Sequence, residues 1–134
     1  MIEANGTLYL KYPDAVAMHI LLMHRRREIR FGVFEPALIK SALARPQHAA
    51  IYEAADLPRQ AATLCYGLIK NHPWVGGNKR TATFVTERFL HVNGMEVIAP
   101  LEEIIALSLA IEADNLSMDE IADWYRQHMK PRKK

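Results

Sequence analysis

Asn71-His72-Pro73-Trp74-Val75-Gly76-Gly77-Asn78-Lys79-Arg80-Thr81-Ala82 decides how the rest of this chain is read. Before it, Ala61, Leu64, Cys65, Leu68 and Ile69 give a wide apolar face to a helix expected over Leu57 to Lys70. Pro73, Gly76 and Gly77 break that helix, and a new one is expected at once, over Lys79 to Val92. The first turn of a helix leaves backbone N–H groups unpaired and carries a partial positive charge, so it is a ready anion site. Gly76 and Gly77 let the backbone come close to a ligand. Lys79 and Arg80 add two full charges where the dipole opposes them, which calls for an anion or for full solvation. Arg holds phosphate oxygens in bidentate fashion, and Lys acts as a point charge. Asn78 can cap the helix or donate its amide to a phosphate. His72 carries an imidazole that can take a proton from an attacking hydroxyl. The plain alternative is a capped turn with a solvent-facing Lys-Arg pair.

Outward from this loop the pattern is helical. A first helix is expected over Asp14 to Ile29, with Val16, Ile20 and Met23 at helical spacing. A second runs from Pro36 to Ala44, where Arg45-Pro46 stops it. Gln47 to Asp56 reads as a small hairpin or an irregular flap. Gly94 suits a left-handed cap after the Val92 end. A fifth helix follows Pro100 to about Ala113, and Ser117 with Glu120 forms a capping box for a last one reaching Met129. Leu8-Tyr9-Leu10 and Met95 to Ala99 are short strand candidates, expected to pair with each other. The class is all-α with at most very short strands. One domain is expected over 1–129, with a basic tail over 130–134 that lacks fixed structure.

Composition narrows the function classes. The 134 residues are half apolar and 24% charged, which suits one globular domain and not a disordered chain. A net charge of +2 does not argue for a nucleic-acid partner. Arg25, Arg26, Arg27 and Arg30 read as a solvated helix end, where basic residues suit the dipole. Cys65 is the single cysteine, so no intrachain disulfide forms, and it reads as a small core residue. No apolar run reaches spanning length, and Met1 to Asn5 lack the regions of a signal peptide, so a cytoplasmic protein is expected. His48, His91 and His128 show no ligand spacing and read as surface residues. Trp124 and Tyr125 read as core anchors.

The central stretch resembles the motif of the death-on-curing family, His-Pro-Phe-x-Asp/Glu-Gly-Asn-Lys-Arg-Thr-Ala. Ser41 to Gln47 and Phe89-Leu90 to Asn93-Gly94 resemble flanking family segments, His19 falls where the family often has a histidine, and the similarity extends from about Leu8 to Tyr125. The resemblance implies a Fic/Doc-like bundle of six to seven helices. It further implies the toxin of a toxin–antitoxin module, a kinase-like phosphotransferase that uses ATP to modify a threonine hydroxyl of elongation factor Tu and so stops translation. An antitoxin protein is the implied partner, His72 the implied catalytic base, and Gly77, Asn78, Lys79 and Arg80 the implied nucleotide-binding residues. The related Fic enzymes transfer AMP instead. Their motif has glycine where Lys79 stands and a second Arg where Thr83 stands, so this chain leans toward the kinase-like chemistry.

Two positions depart from the family. Trp74 replaces Phe, one aromatic anchor for a larger one. Gly76 replaces the acid that serves a magnesium ion (Mg2+) or orients the histidine, and glycine offers no oxygen ligand from its side chain. Three outcomes are open: Glu87, Glu53 or Asp56 supplies the acid from elsewhere, the metal is held by nucleotide and water, or turnover is weak and the protein acts by binding a partner.

Overall fold

Asp56 starts the central helix of the molecule, α3 (Leu57–Asn71). Its carboxylate accepts the Arg59 N–H at 3.1 Å, and Pro58 occupies the first turn, where a missing N–H costs nothing. The computed structural model describes residues 1–133. Leu64, Cys65, Leu68 and Ile69 of α3 are buried, as their spacing predicts. The helix packs against α2 (Pro36–Glu53), α4 (Asn78–Val92), α5 (Leu101–Glu112) and α6 (Met118–His128). With α1 (Tyr12–Arg25) the described residues form six helices, an all-α bundle as expected, with only three-residue strands. Tyr9, Trp74, Phe89, Leu90, Ile111, Ile121 and Tyr125 lie in the same core as the α3 residues. Tyr125 is thus a core anchor, and Trp124 is half-buried beside it. The Ser117–Glu120 capping box forms in full, and Gly94 takes its positive φ of 85° after α4.

Four local expectations fail, each for a physical reason. α2 does not stop at Pro46 but continues to Glu53, so there is no hairpin or flap over 47–56. Pro46 removes one helical hydrogen bond. Even so, Ile39, Ala42, Leu43, Pro46 and Ala49 lie on one buried stripe against α3, and that packing outweighs the local preference. α1 ends at Arg25 rather than Ile29. Arg27 turns left-handed (φ 56°), its N–H bonds the His24 carbonyl, and the Glu28 N–H bonds that of Met23. This is a Schellman end without the usual glycine. The buried stripe of α1 is Ala15, His19 and Met23, so Ile20 faces outward.

The strands also pair differently. β1 (Ile2–Ala4) and β2 (Thr7–Tyr9) form a hairpin across Asn5-Gly6, both at positive φ. Asn-Gly is a favoured pair for such two-residue turns. β3 (Met95–Val97) therefore does not meet Leu8–Leu10 but pairs antiparallel with β4 (Met129–Pro131). The expected tail thus opens as a strand, extended by the Arg132 N–H to the Gly94 carbonyl. Lys134 of that tail lies outside the described residues.

Candidate functional site

The motif loop joins the C-terminus of α3 to the N-terminus of α4, and two clamps fix its shape. Asn78 is the inner clamp. Its Oδ1 accepts the Trp74 N–H at 3.0 Å, and its Nδ2 donates to the Trp74 carbonyl at 3.0 Å. The side chain is buried and both amide ends are used within the loop, so Asn78 shapes the site and does not cap the helix; the cap position is Gly77. The outer clamp is the segment before α2. Phe34 and Glu35 donate their N–H groups to the Pro73 carbonyl, Val75 N–H donates to the Gly32 carbonyl, and Val33 and Trp74 form an antiparallel bridge.

His19 ties both clamps to α1. It is fully buried, stacked on Trp74 with centroids 4.2 Å apart. Its Nε2 accepts the Gly32 N–H at 3.0 Å, which leaves the proton on Nδ1, facing Thr81 Oγ1 at 2.8 Å. Burial pushes its pKa down to about 4. An unfolded histidine takes its proton near 6.5. Between those values the unfolded chain binds more protons, so stability rises with pH across that window. Urea midpoints measured from pH 7 to pH 4 are expected to lose roughly 3 kcal/mol of stability from this residue. A flat profile over that range would contradict the buried neutral imidazole.

His72 is the left-handed C-terminal cap of α3 (φ 49°), and the exposed residue lines a cleft of about 580 Å³. Gly77, Asn78, Lys79 and Arg80 line the same cleft, so the sequence-predicted residues do converge. Gly77 has φ 66°, and Gly77 and Asn78 open α4 with no side-chain cap on its free N–H groups. Lys79 Nζ reaches Glu112 at 3.1 Å, and Arg80 reaches Glu28 at 3.3 Å. Both pairs are part-exposed, so each holds its cation only weakly and an incoming phosphate can displace the carboxylate. Thr83 turns its hydroxyl back to the Lys79 and Arg80 carbonyls.

Sequence reasoning missed the other wall. Arg26, Glu28, Phe84 and the α5 residues Leu101, Ile104, Ile105, Ser108 and Leu109 surround or pair with the loop. The apolar spacing of α5 offered a signal only in hindsight, because Leu101, Ile105 and Leu109 are exposed and thus not spent on the core.

The acid missing at Gly76 is not replaced by the residues named for it. Asp56 and Glu53 pair with Arg126 and Arg59 at the far end of α3, about 20 Å away along a helix of this length. Glu87 lines the cleft, but nine residues into α4, about 13 Å from its start. The space at Gly76 is taken by backbone: a Cβ there would lie 2.8 Å from the Arg30 carbonyl oxygen. Among the described residues no group of three His, Cys, Asp or Glu side chains can hold a metal. No all-protein cage for an ion is present among them, which leaves nucleotide phosphates and water as the main ligands of any Mg2+ ion there. Gly76→Asp is expected to cost about 1–3 kcal/mol by displacing the Arg30 segment, with no gain in transfer rate. Urea unfolding and a transfer assay check both parts; higher activity at unchanged stability would refute the steric account.

Two clamps, an uncapped helix start, two weakly held cations and an exposed histidine come together around one cleft of a helical domain. Residues 9–90 match the model of the Fic/DOC family, which is more than half of the chain, and the chain belongs to that family. The match stops at Leu90, short of the Tyr125 limit expected from the sequence. A protein described as Toxin Doc, from Mycolicibacterium smegmatis, is 43% identical over 81 residues, which cover 55% of this chain and 62% of that protein. The chain therefore spans less than two thirds of that relative. No helix among the described residues is long and apolar enough to cross a membrane.

Proposed function

We propose that the protein is the toxin of a toxin–antitoxin pair and a phosphotransferase that moves the terminal phosphate of ATP to a hydroxyl of a translation factor such as elongation factor Tu. The single observation that carries this is the convergence of His72 with Lys79, Arg80 and the free start of α4 in one cleft. The similarity to a Toxin Doc supports the biological class and an antitoxin as partner, and a cytoplasmic site of action follows from such a target. In this reading Lys79, Arg80 and the α4 N–H groups hold the transferred phosphate. His72 takes the proton of the attacking hydroxyl as its oxygen bonds phosphorus, the bond to the β-phosphate oxygen breaks, and ADP leaves.

Incubation with elongation factor Tu and ATP labelled at either the γ- or the α-phosphate tests the proposal. γ-Label on the factor is the expected result. α-Label would mean AMP transfer, against the Lys79 and Thr83 argument. A folded protein that binds ATP and transfers neither label would favour the second reading, a family member that acts by binding. That reading is motivated by the backbone oxygen in place of the acid at Gly76.

A further inference from the structure

Arg80, Thr83, Phe84 and Glu87 follow one another on a single face of α4 and all line the cleft. Glu87 stands about 10 Å along the helix from Arg80, the reach of a nucleotide from phosphate to base. Between them lies an apolar slot, with Phe84 on one side and Leu101, Ile104, Ile105 and Leu109 of α5 on the other. The outward Leu101, Ile105 and Leu109 side chains give it a broad greasy wall suited to a planar ring.

Glu87 differs from the other acids around this cleft. Glu112 pairs with Lys79 and Glu28 with Arg80. Glu87 is half-buried and has no hydrogen-bond or ion-pair partner among the described residues. Arg25, Arg88 and His91 share the neighbouring groove with it and Arg26 lines the same cleft, yet none of them pairs with it. Burial raises its pKa. A part-buried carboxylate without a donor is costly, and the cost is removed when a ligand supplies one. An ionised carboxylate only accepts hydrogen bonds, so its complement on a base is an amino group.

We infer that Glu87 is the base-reading residue of the cleft, accepting a hydrogen bond from the exocyclic amino group of a bound nucleotide. The inference rests on the nucleotide-binding reading above and adds the determinant of base choice. Phosphate recognition stays at the loop, and Ser108, which also lines the cleft, donates its hydroxyl to the Ile105 carbonyl.

Calorimetric titration of the full chain with ATP, with purine riboside 5′-triphosphate (which lacks the amino group) and with inorganic tripolyphosphate tests it. The wild type should prefer ATP over the purine analogue about tenfold. Glu87→Ala should erase that preference and leave tripolyphosphate affinity unchanged, which also shows that the variant is folded. Glu87→Gln, which keeps an acceptor oxygen, should retain part of the preference. An undiminished preference in Glu87→Ala would overturn the inference while leaving nucleotide binding intact. Failure of the wild type to bind either ATP or tripolyphosphate would overturn both.

Discussion

His72→Asn is expected to lose roughly 10²- to 10⁴-fold in transfer rate, the usual contribution of a positioned base. Asparagine is the informative replacement because residue 72 is left-handed, a conformation that His and Asn adopt more readily than most residues. Alanine there would add backbone strain to the loss of the base. The ring of this exposed residue has no hydrogen-bond partner among the described residues, so His72→Asn should unfold at nearly the wild-type urea concentration. ATP affinity should also hold, since the phosphate contacts come from α4. A variant that keeps its transfer rate would remove His72 from the reaction. One that loses rate together with stability would point to a structural role for the residue.

Trp74→Ala is expected to destabilise the protein by about 3–5 kcal/mol, the range for a fully buried large aromatic. Trp74 is only 1% exposed, stacks on His19 and bridges Val33, so its loss opens a cavity where α1, the segment before α2 and the motif loop meet. Trp74→Phe should behave very differently. The indole Nε1 has no hydrogen-bond partner in its buried position. An unpaired buried donor costs about 1–3 kcal/mol, and Phe removes it while leaving a smaller void. The two effects offset, so Trp74→Phe should shift the unfolding midpoint little. Chemical denaturation of both variants checks the pair. A large loss in Trp74→Phe would mean that the indole nitrogen is satisfied in solution, for example by a buried water.

The bundle and the shape of the motif loop were legible because they rest on long-period signals and on local chemistry. The apolar face of Leu57 to Lys70 and the two glycines before Lys79 specify a helix, a turn and a helix without reference to the rest of the chain. What sequence could not supply came from contacts between distant segments. Pro46 reads as a stop until α3 lies under it, and the stripe of α1 moves by one position because His19 must meet Trp74, Gly32 and Thr81. The Asn5-Gly6 turn was readable, and giving it due weight would have closed the first hairpin locally and left β3 for the C-terminus. Asn78 shows the same limit within the site. Its residue type suits a phosphate donor, yet its amide spans the loop and shapes the cleft from behind. Gly76 read as the loss of an oxygen ligand, and only the fold shows that the Arg30 carbonyl takes the space of a side chain there.

The central claim is that the start of α4 holds the phosphates of a nucleotide, and titration with ATP addresses it most directly. The wild type and a Lys79→Ala/Arg80→Ala variant would be compared at the same ionic strength, with unfolding curves to show that both are folded. The exposed ion pairs that the variant loses contribute little to stability, so its curve should match. The predicted result is ATP binding by the wild type and at least a roughly tenfold loss of affinity in the variant, as charge-assisted contacts require. Equal affinity in the two proteins would contradict the account.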